Sequence, residues 1–306
     1  MAAGERALVL GGGGSAGNAW EIGVIAGLYD AGLDVTGADL TLGTSAGATA
    51  AAQITSSTRP PELYAQILDA PPPQRPRPPG GGAAPAPVAN HMELTGAIIA
   101  ASKDPADLRR RMGAAALELD AGSDGSAQAR WRATVASRLP SLEWPSQALH
   151  IMVIDADTGE RLALDRTSGL ALADAVAAST ANGFGVPPLA LGERRYIDGG
   201  YPSAENADLA AGHARVLVLS PFGGRTRAPL DWGVHLAAHV EALRAAGSQV
   251  EAIFPDDAAR AAFGNNMMNP ASRLPAARAG FEQGRALAGR LAGFWRGVDP
   301  AQAGPG

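Results

Sequence analysis

Ser45 stands at the centre of a short glycine-flanked segment, made up of Gly43, Thr44, Ser45, Ala46 and Gly47. It follows the apolar run at residues 40–42, where a strand should end and a helix begin. A strand that turns sharply into a helix strains its apical residue and needs small neighbours two positions away on each side. The pattern predicts an exposed, nucleophilic serine for acyl transfer, although a chain rich in alanine and glycine can also produce this segment by chance.

A second glycine-rich segment lies upstream, at residues 11–17, between a buried-type strand and a stretch with helical periodicity. Successive glycines allow positive φ angles, and they let neighbouring backbone N–H groups converge on one point. The helix that should start after Gly17 adds the positive end of its dipole. Such a loop suits either a phosphate or the oxyanion of a tetrahedral acyl intermediate.

The same loop leaves a second function open. The glycines at positions 12, 14 and 17 fit the dinucleotide fingerprint, so the alternative is a nucleotide- or dinucleotide-binding protein that uses the Gly12–Gly17 turn. That fingerprint requires an acidic residue at a strand end about twenty residues further on. Asp34 and Asp39 lie near that distance, but both stand among turn-forming residues.

A nucleophilic serine needs a base, and Asp198 is the candidate. It ends a short predicted strand at residues 195–197 and is followed by Gly199 and Gly200, which allow a tight turn. A carboxylate with an ordinary pKa of about 3.9 is ionised at neutral pH and can accept a serine proton within hydrogen-bond reach. On spacing alone, a surface Asp-Gly turn is the better interpretation.

The five histidines are weaker candidates for the base. None lies in a segment that resembles a rigid catalytic loop, and two of them, four residues apart on one predicted helix, lack the glutamate of a zinc motif; they are His91, His150, His213, His235 and His239. We therefore expect structural roles for them, with no metal and no organic cofactor at the site.

Taken together and in order, the motifs at residues 8–17, 43–47 and 198–200 resemble those of the patatin-like phospholipases. The stretch before the aspartate, at residues 178–181 and 187–188, is similar as well. The resemblance covers most of residues 7–219, and three ordered motifs are far more specific than any one of them.

The resemblance implies an acyl ester hydrolase that uses a Ser45–Asp198 dyad in place of a Ser-His-Asp triad. Its oxyanion hole would be formed by backbone N–H groups of the glycine loop, at Gly12, Gly13 and Gly14, with help from Ala46. Members of the family often carry a basic residue where Ala16 stands, and that charge is missing here. The implied substrates are lipid acyl esters, phospholipids or lysophospholipids in particular.

Strand, helix, strand and helix alternate within the first sixty residues, which indicates a βαβ unit and an α/β architecture. We expect a three-layer α/β/α sandwich with a mainly parallel central sheet, in one hydrolase domain over residues 1–297. A proline-rich segment at 71–88 should form a mobile surface loop, a helical region at 93–139 should form a cap, and 298–306 should be a flexible tail.

The C-terminal segment at residues 271–297 is basic and amphipathic, with five arginines against one glutamate. Such a helix can lie on an anionic lipid surface, but packing on the domain with solvated arginines is the better interpretation. The sequence contains no recognisable signal peptide or membrane span, so we expect a cytoplasmic protein with peripheral membrane contact at most.

Composition excludes several classes of function. The 306 residues include no cysteine, which excludes disulfides, thiolate metal sites and cysteine nucleophiles. The net charge of -5 argues against a general nucleic-acid-binding surface.

Overall fold

The computed structural model describes residues 5–71 and 91–297. Its strands are β1 (Arg6–Leu10), β2 (Leu40–Thr44), β3 (Ala148–Asp155), β4 (Arg161–Leu164), β5 (Leu189–Leu191), β6 (Arg194–Asp198), β7 (Arg215–Leu219) and β8 (Gln249–Ile253). Its helices are α1 (Gly14–Asp30), α2 (Ala46–Ile54), α3 (Pro60–Leu68), α4 (His91–Ala101), α5 (Pro105–Asp120), α6 (Ser126–Ala136), α7 (Leu172–Ser179), α8 (Leu236–Ala245), α9 (Asp257–Phe263) and α10 (Arg273–Arg296). The proline-rich segment, apart from Pro71, and the tail at 298–306 lie outside the described residues.

Across those residues the strands form one mixed sheet in the order β5-β6-β3-β2-β1-β7-β8, with β4 paired to β3. The strands from β3 to β8 in that order are parallel to one another, whereas β4, β5 and β6 pair in antiparallel fashion. Side chains alternate along β1, so Leu8 and Leu10 enter one core while Ala7 and Val9 enter the other. The predicted three-layer α/β/α sandwich with a mainly parallel sheet is confirmed.

The C-terminal helix α10 lies directly on α1. A Cβ added to Gly23 or Gly27 of α1 would overlap the carbonyl of Ala277 or Phe281, so the two helices approach backbone to backbone. Packing on the domain, the better of the two interpretations from sequence, is therefore what α10 does. Within the described part of the chain, no helix is both long enough and apolar enough to cross a membrane.

Two local predictions can be compared with the structure. The region at 93–139 is helical, as expected, and consists of α4, α5 and α6. The predicted start of α1 was wrong: the helix begins at Gly14, not after Gly17. Gly17 N–H already donates to the Gly13 carbonyl at 2.9 Å, and tertiary packing overrides the low helix propensity of these glycines.

Candidate active site

The turn between β2 and α2 holds Ser45 in a strained conformation. Ser45 has φ 55° and ψ -120°, and it caps the N-terminus of α2. Such a conformation costs a residue with a side chain about 1–3 kcal/mol, so the surrounding structure must enforce it. Part of that enforcement comes from α7, because the Ser45 backbone N–H donates to Ser179 Oγ at 3.0 Å.

The glycines on either side of Ser45 are required by close backbone packing. A Cβ on Gly47 would overlap the carbonyl group of Leu10, at the end of β1. A Cβ on Gly43 would lie 2.6 Å from the Ala48 Cα, within the next turn of α2. The G-x-S-x-G spacing thus allows β1, β2 and α2 to converge on one point beneath the serine.

Asp198 reaches the same point from the other side of β3. In the sheet register Met152 lies opposite Thr44, and the next residue, Val153, lies opposite Asp198. The carboxyl ends of β2 and β6 therefore meet across one strand. Gly199 is again required, because a Cβ there would overlap the backbone of Met152.

Hydrogen bonds fix the turn after Asp198. Gly200 N–H donates to Asp198 Oδ1 at 2.8 Å. The side-chain amide of Asn206 donates to Thr44 Oγ1 at 3.1 Å and to the Gly199 carbonyl at 3.0 Å, which ties this turn to the serine turn. Ser179 and Asn206 were not predicted as site residues, although both lie in stretches that carry the family resemblance or adjoin it.

The Asp198 carboxyl is buried, with 8% of its surface exposed. Burial raises its pKa to about 6, while hydrogen bonds from the Ser45 hydroxyl and from Gly200 N–H act in the opposite direction. A carboxyl group with this pKa is mostly ionised at pH 7 yet can still take up a proton, which is the property that a general base requires.

The glycine loop between β1 and α1 faces Ser45. Gly12 N–H is already engaged, because it donates to the Ala204 carbonyl at 2.8 Å. Gly13 and Gly14 stand at the N-terminus of α1, and within the described residues their N–H groups donate to no other group. The structure therefore corrects the expected donor set: Gly12 contributes free space beside Ser45 rather than a free N–H, since a Cβ added to Gly12 would lie 3.4 Å from Ser45 Cβ.

Two buried carboxyl groups, Glu21 and Glu205, lie close to Gly11 at the start of this loop. Glu205 Oε1 accepts a hydrogen bond from Ser220 Oγ at 2.6 Å. Burial raises the pKa of Glu21 well above its ordinary value, and the nearby Glu205 adds to the shift. Neither residue lines the cavity, so both are core groups that support the loop, and no sequence motif had marked them.

A cavity of about 380 Å³ opens above Ser45 and Asp198. Its wall includes the glycine loop, several apolar side chains and two arginines: Gly12, Gly13, Gly14, Ser15, Asn18, Ser45, Ala46, Thr49, Trp131, Arg138, Thr180, Asn182, Val186, Asp198, Gly200, Tyr201, Ala204, Phe222, Met268, Pro270 and Arg273. Of the residues outside the predicted motifs, Trp131 and Arg138 come from the predicted helical region, and Arg273 begins the C-terminal helix. Only the tertiary fold brings these distant segments together.

In the described part of the chain, no histidine contributes to the cavity wall. His239 lies on α8, with Nδ1 3.6 Å from Asp208, and His91 packs edge-on against Phe184. Nδ1 of His235 and of His239 is buried and forms no hydrogen bond with any residue that the structure describes. No three acidic or histidine side chains in residues 5–71 and 91–297 cluster as metal ligands would.

The two aspartates considered for the dinucleotide alternative lie far from the carboxyl edge of the sheet. Asp39 Oδ2 accepts from the N–H groups of Glu5 and Arg6, at 2.9 and 2.8 Å, where β1 begins. Asp34 accepts from its near neighbour Thr36. The end of β2, where a dinucleotide fold places its acidic residue, leads into Ser45 instead.

Comparison with known proteins agrees with the geometry. No curated protein matched the chain. The family model for patatin-like phospholipases matches residues 8–211, which include Ser45, Asp198 and the glycine loop. Because this match covers more than half of the 306 residues, the chain belongs to the patatin-like phospholipase family, a family of lipid acyl hydrolases.

Proposed function

We propose that the protein hydrolyses acyl esters of lipids, with Ser45 as the nucleophile and Asp198 as the general base. The observation that carries the proposal is that a serine at a strained strand–helix turn and a buried carboxyl group with a raised pKa line the same cavity. The absence of a histidine from the described cavity wall favours a two-residue arrangement over a Ser-His-Asp triad.

In the first half of the reaction, Ser45 Oγ attacks the ester carbonyl carbon and its proton passes to Asp198. The negative charge that develops on the carbonyl oxygen would be held by the N–H groups of Gly13 and Gly14, with Ala46 N–H at the start of α2 as a further donor. The C–O bond to the alcohol then breaks, and Asp198 returns the proton to the departing alkoxide. The products of this half are a free alcohol and an acyl-Ser45 ester.

In the second half, water attacks the acyl-serine carbonyl. Asp198 takes the water proton, and the same N–H groups hold the second oxyanion. Collapse of this intermediate releases the fatty acid, and Asp198 returns its proton to Ser45 Oγ. A pKa near 6 suits this alternation, because the carboxyl can gain and lose a proton at neutral pH.

The test combines active-site labelling with kinetics. A fluorophosphonate probe should give one adduct, mapped to Ser45 by peptide mass spectrometry. With a short-chain p-nitrophenyl ester, Ser45→Ala should lower kcat/KM by about 10⁴-fold or more. Asp198→Asn should lower it by about 10²–10⁴-fold, the usual contribution of a general base.

The matched controls are single alanine substitutions of His213, His235 and His239. Each should retain most of the activity, since none of these residues lines the described cavity. A histidine variant as inactive as Ser45→Ala would show that the base is not Asp198. A folded wild-type protein that neither reacts with the probe nor turns over any ester would remove the proposal altogether.

A further inference from the structure

Two arginines share the cavity wall with Ser45 but belong to neither the serine turn nor the aspartate turn. Arg138 follows α6, and Arg273 is the first residue of α10, beyond the segment that the family model matches. A guanidinium group in a cavity wall that is not paired with a carboxylate is available to a bound anion.

Within the described residues, neither guanidinium forms an ion pair with a carboxylate. Other arginines of the same helices do: Arg132 pairs with Asp174, and Arg285 pairs with Asp30. Arg273 instead donates from Nη1 to neutral acceptors, the Ser15 carbonyl at 3.2 Å and Asn18 Oδ1 at 3.0 Å. Since a guanidinium carries five N–H donors, most of those on Arg273 remain available.

The two charges also act on each other. Burial lowers the pKa of Arg273, and the nearby positive charge of Arg138 lowers it further. Two like charges that face one cavity without a counter-ion are unfavourable, and a bound anion would relieve both.

A hydrogen-bonded network holds the two arginines in place. Asn18 accepts from Arg273 and donates to Gln53 Oε1 at 3.1 Å, and Gln53 Nε2 in turn donates to the Arg138 carbonyl at 3.0 Å. The Arg138 guanidinium lies 5.2 Å from the ring centroid of Trp131. Trp131 itself is anchored, since its indole N–H donates to Thr180 Oγ1 at 3.1 Å. The Arg273 guanidinium and the Arg138 backbone are thus held by hydrogen bonds, and the Arg138 guanidinium lies against the ring of an anchored tryptophan.

We propose that Arg138 and Arg273 form an anion-binding subsite of the cavity, and that the preferred substrate is an acyl ester whose head group carries an exposed phosphate. The proposal rests on the proposed function of Ser45 and Asp198. Guanidinium groups bind phosphate oxygens through paired, charge-assisted hydrogen bonds. A head group that ends in a quaternary ammonium would place a cation beside two others and bind less well, and a neutral glycerol head group would gain nothing from the pair.

The experiment compares three lysolipids with the same short acyl chain, used as monomers: lysophosphatidic acid, lysophosphatidylcholine and monoacylglycerol. The wild type should have its highest kcat/KM for lysophosphatidic acid. In Arg138→Gln, the ratio of kcat/KM for lysophosphatidic acid to that for monoacylglycerol should fall about 10- to 100-fold, the usual effect of a charged hydrogen bond. Arg138→Lys should restore part of this ratio.

The matched control is Arg132→Gln, on the neighbouring helix α6 but paired with Asp174, which should leave the ratio unchanged. Arg273→Gln should lower the ratio as well; because it also removes bonds to the glycine loop, Arg138→Gln decides the question. A ratio unchanged in Arg138→Gln, or a wild type that prefers monoacylglycerol, would overturn the proposal while leaving Ser45-dependent hydrolysis intact.

A binding measurement separates the subsite from catalysis. Inorganic phosphate should bind to Ser45→Ala in calorimetry, and Arg138→Gln in that background should weaken the binding at least tenfold. Phosphate binding without a preference for the anionic ester would assign the site to a free anion and overturn the head-group assignment. If no ester is hydrolysed but phosphate binds through Arg138, the proposed function fails and the anion site stands; absence of both removes the subsite too.

Discussion

The two glycine-rich turns of the site, between β1 and α1 and between β2 and α2, connect parallel neighbouring strands to helices but use glycine for different reasons. In the serine turn, the space that Gly47 leaves is occupied by the backbone of β1. In the loop before α1, Gly12 leaves space that borders the Ser45 side chain, and the nearest neighbours of a Cβ on Gly14 include the flexible tip of Met268.

The glycines of the serine turn are therefore needed for folding, whereas Gly12 is needed for the reaction. Backbone atoms inside a sheet cannot move to admit a methyl group, so the glycines of the serine turn are conditions for the fold itself. Gly12 borders a cavity, so it can be changed without breaking the sheet, but only at the expense of the reaction. The serine turn presents a side chain, whereas the glycine loop presents N–H groups at Gly13 and Gly14 and open space at Gly12.

The largest effect should come from Gly47→Ala. The added Cβ would overlap the carbonyl of Leu10 and force β1 away from α2. We expect a loss of more than about 4 kcal/mol of unfolding free energy, enough to leave little folded protein. Urea unfolding or the yield of soluble protein measures it.

The control for this variant is Gly37→Ala. Gly37 lies in an exposed turn, and a Cβ there would meet nothing within 4 Å. It should change stability by less than about 1 kcal/mol. Normal stability of Gly47→Ala would mean that β1 and α2 do not meet backbone to backbone, and the contrast between the two turns would fail.

Gly12→Ala should lower the catalytic rate and leave the stability of the fold unchanged. Its Cβ would be 3.4 Å from Ser45 Cβ and 3.7 Å from the Ala204 carbonyl, which are ordinary contacts, so the fold should be kept. The methyl group would nevertheless occupy space beside the nucleophile, and a displacement of about 1 Å there can cost about 10²-fold in rate. We expect kcat/KM for a p-nitrophenyl ester to fall about 10- to 100-fold with an unchanged unfolding midpoint. A loss of stability equal to that of Gly47→Ala would erase the distinction.

The sequence predicted the parts of the site that depend on local geometry. The serine turn needs Gly43 and Gly47 within five residues, so it leaves a readable pattern. The turn at Asp198 needs Gly199 beside it, but that spacing alone favoured a surface turn, and only the family resemblance marked Asp198 as a candidate base. The engagement of Gly12 N–H by Ala204 could not be predicted, because it joins segments far apart in the chain. Helix α3 was not predicted, and its two prolines stand at its start, where proline is favourable.

The cavity wall was the least predictable part. Arg138 and Arg273 stand in helical segments whose patterns explain packing, and nothing local marks them as cavity residues. Arg273 comes close to Ser45 only because α10 packs on α1, and Arg138 only because the end of α6 lies near α2. The two arginines of the proposed anion subsite therefore lie outside the motifs that identify the family.

A smaller effect concerns the free energy of unfolding, which the buried Asp198 carboxylate lowers at high pH. Its pKa is about 6 in the folded protein, against an ordinary value of 3.8, so the folded state holds the proton more tightly than the unfolded chain. This contribution is fully present below about pH 4 and is lost as pH rises through about 6. At pH 8 the ionised group costs about 3 kcal/mol. Asp198→Asn should therefore be about 1–3 kcal/mol more stable than wild type at pH 8, with no gain at pH 4, in urea unfolding.

Ser45→Ala serves as the control for that measurement. It is also impaired in catalysis but keeps the carboxyl group, so its stability should still fall between pH 4 and pH 8. If Asp198→Asn were no more stable than wild type at pH 8, the carboxyl would be better solvated than its 8% exposure implies.

The last prediction concerns the pH dependence of catalysis. Asp198 must be ionised to accept the Ser45 proton, so kcat/KM should rise about tenfold per pH unit up to about pH 6 and then level off. Tyr201, the neighbouring phenol, should not contribute, because burial and the charge of Asp198 raise its pKa. Gly12→Ala should lower the whole profile without moving its midpoint, since the glycine loop acts through groups that do not titrate in this range. A midpoint that disappears in one of the histidine variants would transfer the base from Asp198 to that histidine, and a midpoint near 4 would mean that Asp198 is solvated during catalysis.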